Sequence, residues 1–208
     1  MTGSEGLRDR KKAQTRQRIA DVAAGLFAER GYDSVSMIEV ARAADVSEQT
    51  VYNYFAAKQD LVLDRAEQIR GWYDHAVRTR STATPARALE PFIVADVDRY
   101  RVADLDQARG EFLAQSVESP VLRRFALEER ERQVRVITAA ILETETHLPA
   151  IVAHSHAAAI VAVIQAIHDQ IGAGVLDRTA QDALAEELRA AAAFAFTSLD
   201  RTYEAITR

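Results

Sequence analysis

The chain has 208 residues, 48% of them hydrophobic, with 26 basic against 31 acidic side chains and a net charge of −5. That is enough apolar material for one large or two small domains, and the absence of cysteine excludes disulfides, thiolate nucleophiles and Cys-based metal sites. No run approaches the roughly 18 apolar residues of a membrane span, and the N-terminus lacks an apolar signal stretch, so a cytoplasmic protein with no membrane partner is expected.

With eight Gly and four Pro, the chain has few turn residues, and an all-α fold of long helices with short connections is predicted. Charge is unevenly distributed. Residues 1–60 hold nine basic and nine acidic groups, whereas 61–208 hold 17 and 22, so the whole acidic excess lies in the C-terminal part. Residues 1–13 read as a basic flexible arm: Arg8, Arg10, Lys11 and Lys12, followed by Arg16 and Arg18, outweigh Glu5 and Asp9.

Ile19, Val22, Ala23, Leu26 and Phe27 form the stripe of an amphipathic first helix, which Gly31 is placed to end. Ser36 and Glu39 make a capping box, so a second helix starts there. It is short, because Ala44-Asp45-Val46-Ser47 reads as a turn in which Asp45 tolerates a left-handed conformation and Ser47 caps a third helix. Helix, tight turn and short helix, buttressed by the longer first helix, make a helix-turn-helix unit over 14–60. A fourth helix is predicted right after Lys58, carrying Val62, Ala66, Ile69, Tyr73 and Val77. Thr84-Pro85 suits the start of the next. Further helices are expected at about 86–102, 105–117, 120–145, 150–172 and 180–206, giving a helical body over 61–208. Residues 157–167, AAAIVAVIQAI, are apolar all round except Gln165, and the last helix adds Phe194 and Phe196 to a stripe of small residues. One domain of this size hardly encloses both, so a homodimer through the last two helices is predicted.

The stretch 46–58, VSEQTVYNYFAAK, sets many hydrogen-bonding side chains on one short helix. Gln49 and Asn53, at i and i+4, share a face and have the amide forks that read base edges in a major groove. Thr50, Tyr52 and Tyr54 offer hydroxyls to flanking phosphates, while Val51 and Phe55 pack inward. Double-stranded DNA is the partner this chemistry fits.

Residues 14–62 closely resemble the DNA-binding head of the TetR family of transcriptional regulators. The resemblance rests on Phe27-x-x-x-Gly31-Tyr32, on Ile38, Val40 and Ala41, on Val46-Ser47 at the turn, and on Thr50-Val51-Tyr52-x-Tyr54-Phe55 followed by Lys58. It implies that Ser36, Thr50, Tyr52, Tyr54 and Lys58 hold phosphates, that Glu48, Gln49 and Asn53 face bases beside the capping Ser47, and that the last two helices pair two subunits. Asp45 stands where the family has a turn glycine, and Ala57 where it has a polar cap before Lys58.

The resemblance implies a ligand-responsive regulator that binds a palindromic operator as a dimer and, as a repressor, is released by a small-molecule effector. Activation, or regulation without an inducer, is the alternative. A helical small-molecule-binding enzyme or sensor without DNA binding is the rival from a different class. No Ser-His elbow, phosphate-binding glycine loop or HExxH motif supports catalysis, and His154 and His156 at i, i+2 point apart on a helix, so neither metal nor cofactor is expected. Tyr73, Phe92, Tyr100, Phe112 and Phe125, with Gln115 and His168, are candidates to line an apolar effector pocket with a few polar groups.

Overall fold

A computed structural model describes the backbone of residues 3–81 and 84–207, with side chains from Arg10 on, so Arg8 of the basic arm lies outside the described side chains. Among these residues every regular element is helical: α1 (Gly3–Arg30), α2 (Met37–Ala43), α3 (Glu48–Tyr54), α4 (Ala66–Thr79), α5 (Pro85–Arg101), α6 (Leu105–Ala108), α7 (Phe112–Glu118), α8 (Pro120–Thr144), α9 (Ala150–Leu176) and α10 (Gln181–Thr207).

The local signals act as expected at most ends. Gly31 follows α1 at φ 77°, and Asp45 occupies the turn between α2 and α3 at φ 51°. Ser36 Oγ accepts from Glu39 N at 3.2 Å while Glu39 Oε2 accepts from Ser36 N at 2.8 Å. Thr84 caps α5 by accepting from Arg87 N at 3.1 Å, with Pro85 at the first helical position.

Four expectations are corrected. The stretch expected as a flexible arm, 1–13, continues α1 back to Gly3, so no backbone break separates it from the head. The fourth helix does not begin at Lys58. Residues Lys58–Leu61 form a 3-10 turn, in which Asp60 Oδ2 accepts from the Ala57 amide at 2.9 Å while Ala57 itself offers no side-chain cap, and α4 starts only at Ala66. The helix expected at 105–117 is split around Gly110 into α6 and α7. Finally, α9 is long and apolar enough to cross a membrane by length and composition alone, contrary to the expectation from the sequence. Here it is a core helix: it packs against α5, α7, α8 and α10, and Ile160, Ile164 and Gln165 are all buried within a single chain. Part of the apolar surplus is therefore absorbed without a second subunit, while Ile151, Ala162 and Ala166 stay exposed on the outer face of α9.

Two cores result. The head core gathers Ile19, Phe27, Tyr32, Val40, Val51 and Phe55, and the body core gathers Leu89, Ile93, Ile137, Ile141, Ile160 and Phe196. Leu122 of α8 belongs to the head core, fully buried there, with Phe125 packed beside it.

Candidate nucleic-acid interface and effector cleft

The α2–α3 pair presents the predicted polar face. Ser47 caps α3, accepting from Thr50 N at 3.1 Å, and its Oγ lies 2.7 Å from Thr50 Oγ1. Glu48, Gln49 and Asn53 are exposed, and Gln49 Nε2 donates to Asn53 Oδ1 at 3.1 Å, so the two amides share one face as their spacing required. Tyr52 is 44% exposed, whereas Tyr54 is half-buried against the head core. Val51 is fully buried and anchors the helix from below.

Lys58 lies at the edge of this face, its ammonium 4.1 Å from the centroid of the Tyr32 ring. Burial pushes its pKa down, against the pull of Asp33 and Glu39. Burial also raises the Tyr32 hydroxyl to about 12, helped by Asp33 and Asp60. The Arg30 guanidinium, together with Ser36, holds the Glu39 carboxyl down at about 2, so the capping box stays ionised at any working pH. One contributor escaped the sequence reading. Arg16, counted there only as charge, stacks its guanidinium 4.2 Å above the Phe55 ring and donates to Tyr54 O at 2.5 Å, tying the end of α3 to α1. Its place just before the Ile19 stripe was the available signal.

The candidate ligand residues do not form one site. Tyr73 is buried and meets Phe92 edge-on at 5.6 Å, and Trp72 stacks on the other side of Phe92 at 6.5 Å. His168 Nε2 sits 2.8 Å from Asp96 Oδ2. Asp96 and Tyr100 line a cleft of about 260 Å³ between α5, α6, α7 and α9, floored by Leu113, Ala114, Ile171 and Val175. Phe112 is half-buried at the start of α7, beside this lining rather than in it.

Gln115 and Phe125 are placed elsewhere, in the joint between head and body. Gln115 is completely buried: its Oε1 accepts from Tyr32 N at 2.7 Å, and its Nε2 donates to Phe27 O at 3.2 Å and Arg109 O at 2.7 Å. Both amide hydrogens are thus taken by the backbone, because the end of α1 leaves carbonyl and amide groups that need partners. Ser119 Oγ donates to Asp33 Oδ1 at 2.7 Å alongside. A Cβ on Gly110 would fall 1.9 Å from Ala24 O, so glycine is what allows the two backbones to touch.

On the far side of the body, His156, Asp200 and Tyr203 are buried near Arg80, whose guanidinium donates to Thr144 Oγ1 at 2.8 Å and pairs with Glu145 at 3.2 Å. Burial pushes His156 down to about 4. Among the described residues no group of three or more His, Asp or Glu side chains is arranged to hold a metal.

A family model described as "Bacterial regulatory proteins, tetR family" matches residues 19–64, which span the end of α1, the α2–α3 pair and the 3-10 turn. Among curated proteins, the HTH-type transcriptional regulator TcmR of Streptomyces glaucescens is 28% identical over 106 residues, 50% of this chain and 47% of that protein. The HTH-type transcriptional regulator AcrR of Shigella flexneri is 46% identical over 48 residues, 23% of this chain and 22% of that protein. The matched stretches span about half or less of these relatives. Similarity of fold extends further: NalD, the secondary repressor of the MexAB-OprM multidrug efflux pump in Pseudomonas aeruginosa, superposes with a TM-score of 0.59 at 20% identity, covering 88% of this chain and 97% of that one. The TetR family repressor AlkX from Dietzia sp. superposes with a TM-score of 0.51 at 22% identity, covering 88% and 98%. Residues 19–64, the capped helix-turn-helix, match the DNA-binding segment of the TetR family of bacterial regulatory proteins, and the chain as a whole shares the fold of repressors of that family.

Proposed function

We propose that the chain is a dimeric transcriptional regulator that binds a palindromic DNA operator through α3, represses, and is released by a small-molecule effector bound in its body. The observation that carries this is the α3 face: Gln49 and Asn53 exposed side by side toward base edges, flanked by Ser36, Ser47, Thr50, Tyr52, Tyr54 and Lys58, on a frame held rigid by Val51, Phe55 and Arg16. Glu48, exposed on the first turn of α3, completes the base-facing set. The family's regulators and repressors among the relatives support the same reading.

The second subunit is assigned to the outer faces of α9 and α10. Phe194 is 78% exposed on α10, and exposed alanines, Ala162 and Ala166 on α9 and Ala191 and Ala205 on α10, allow close helix approach along the same two helices. Exposed aromatic surface rimmed by small residues is the mark of an interface, and two-fold pairing there would hold two recognition helices about one DNA turn apart or somewhat more. Such a protein works in the cytoplasm and needs no catalytic group. The test is selection of bound fragments from genomic DNA followed by footprinting. A protected palindrome is the expected result, and failure to enrich any sequence over random DNA defeats the proposal.

A further inference from the structure

The cleft between α5, α6, α7 and α9 and the joint that grips the head share one stretch of chain. Residues 103–114 form a wall of the cleft. On the other side of that wall Gly110 touches the backbone of Ala24, and the next residue along, Gln115, holds Phe27 and Tyr32 of the head. Between the two lies a fulcrum. A Cβ on Gly172 would fall 2.3 Å from Leu113 O, so α7 already rests on α9 at that point and cannot move closer. A molecule that widens the cleft therefore pushes the wall about Leu113, and α1 is on the receiving end.

The cleft also has a chemistry. Its floor is apolar, and among the described residues its rim carries Asp96, Asp104 and Glu111 against Arg99, which pairs with Glu111 at 3.0 Å and lies 3.8 Å from Asp96, so one guanidinium stands against three carboxylates and the rim keeps a negative excess. A ligand carboxylate would meet like charge there, whereas an ammonium would not. About 260 Å³ lies just under the roughly 300–1,000 Å³ usual for ligand sites, so the occupant is compact. We propose that this cleft binds a compact molecule with an apolar body and a cationic group, and that its occupancy reaches the head through Gly110 and Gln115. The inference rests on the reading of the chain as an effector-controlled regulator.

The absence of cysteine makes a direct test available. Ala108→Cys places one thiol in the cleft wall, and (2-trimethylammonioethyl) methanethiosulfonate converts it to a mixed disulfide with release of methanesulfinate, installing a small cation. Thr146→Cys, exposed between α8 and α9, serves as the control site. Modification of the Ala108→Cys variant is expected to lower affinity for the selected operator by roughly 5- to 150-fold, the usual span of allosteric coupling, and modification at the control site to leave it unchanged. Adding Gln115→Ala should cut that loss to less than about twofold, since coupling requires a physical connection between the sites. Unchanged affinity after modification of the Ala108→Cys variant, or a loss that persists in full without Gln115, overturns the route. Calorimetry with 4-phenylbutylamine and 4-phenylbutyrate tests the charge: the amine should bind and the carboxylate should not, and equal or stronger binding of the carboxylate overturns the assignment. Failure of the unmodified protein to bind any DNA would instead defeat the regulator reading, while the calorimetric comparison would still decide the cleft.

Discussion

His156 makes the stability of the body depend on acidity in a window that carboxylates do not reach. The side chain is 6% exposed, its ring centroid lies 4.5 Å from that of Tyr203, and its Nε2 has no hydrogen-bond partner among the described residues. Burial lowers its pKa from 6.5 to about 4, with Asp200 pulling up and Arg80 pushing down. A histidine whose folded pKa is depressed is neutral in the fold but takes a proton in the unfolded chain below 6.5. Acid therefore favours unfolding, and the loss grows from pH 6.5 down to the folded pKa. Two-state linkage gives a loss on the order of 2 kcal/mol near pH 5, rising to about 3 kcal/mol near pH 4. The perturbation is His156→Phe, which keeps a ring against Tyr203 and cannot titrate. Urea denaturation of both proteins between about pH 8 and pH 5 should show their stabilities converging or crossing as pH falls, the wild type losing about 2 kcal/mol more than the variant. Glu39 and Asp169, whose pKa values are also depressed, lose their contributions only as pH falls from the ordinary carboxylate values toward their lower folded ones, below this window and equally in both proteins. Parallel stability curves across this window would refute the reasoning.

Asn53→Ala should relax sequence preference at defined operator positions, costing roughly 1–3 kcal/mol on cognate DNA, while Lys58→Ala should weaken all sequences alike and reduce the salt slope by about one; competition binding with cognate and random duplexes separates the two. Phe194→Asp should give folded monomers in sedimentation, with a melting temperature lowered by the loss of subunit association and no longer dependent on protein concentration, and a retained dimer would move the interface elsewhere. Gly110→Ala should cost about 1–3 kcal/mol in denaturation, the usual cost of overpacking, since its new Cβ cannot coexist with the Ala24 carbonyl.

The head was legible in the sequence because its determinants are local. Ser36 and Glu39 lie three residues apart, Gly31 and Asp45 each fix one turn, and the face shared by Gln49 and Asn53 follows from helical spacing alone. The body's helices were legible as elements, but its functional arrangement was not. Gln115 reads as a polar group on an apolar helix, and only contacts 83 and 88 residues away turn it into a backbone clamp. The split between α6 and α7 had one visible clue, the lone Gly110 inside a helical pattern, which signals close backbone approach without naming the partner. The apolar character of α9 was legible but the division of its cover was not, since periodicity does not say which side of the helix is wrapped by its own chain, as Ile160 and Ile164 are, and which is left outside, as Ile151 is.

Leu122 bears on how this molecule can be taken apart. A cut at residue 64, where the matched head segment ends, leaves its side chain on the wrong fragment and opens the packing around Phe27 and Tyr32 to water. Gln115 would go with it, stranding the Tyr32 amide at the exposed end of α1 and leaving Phe27 O with only its bond from Gly31 N. Chimaeras that graft this reading head onto a foreign body should therefore carry residues 105–125 across as part of the graft, or supply a donor segment already matched to α1. The transplantable unit is discontinuous, and a recombination boundary chosen from sequence similarity would fall in the wrong place.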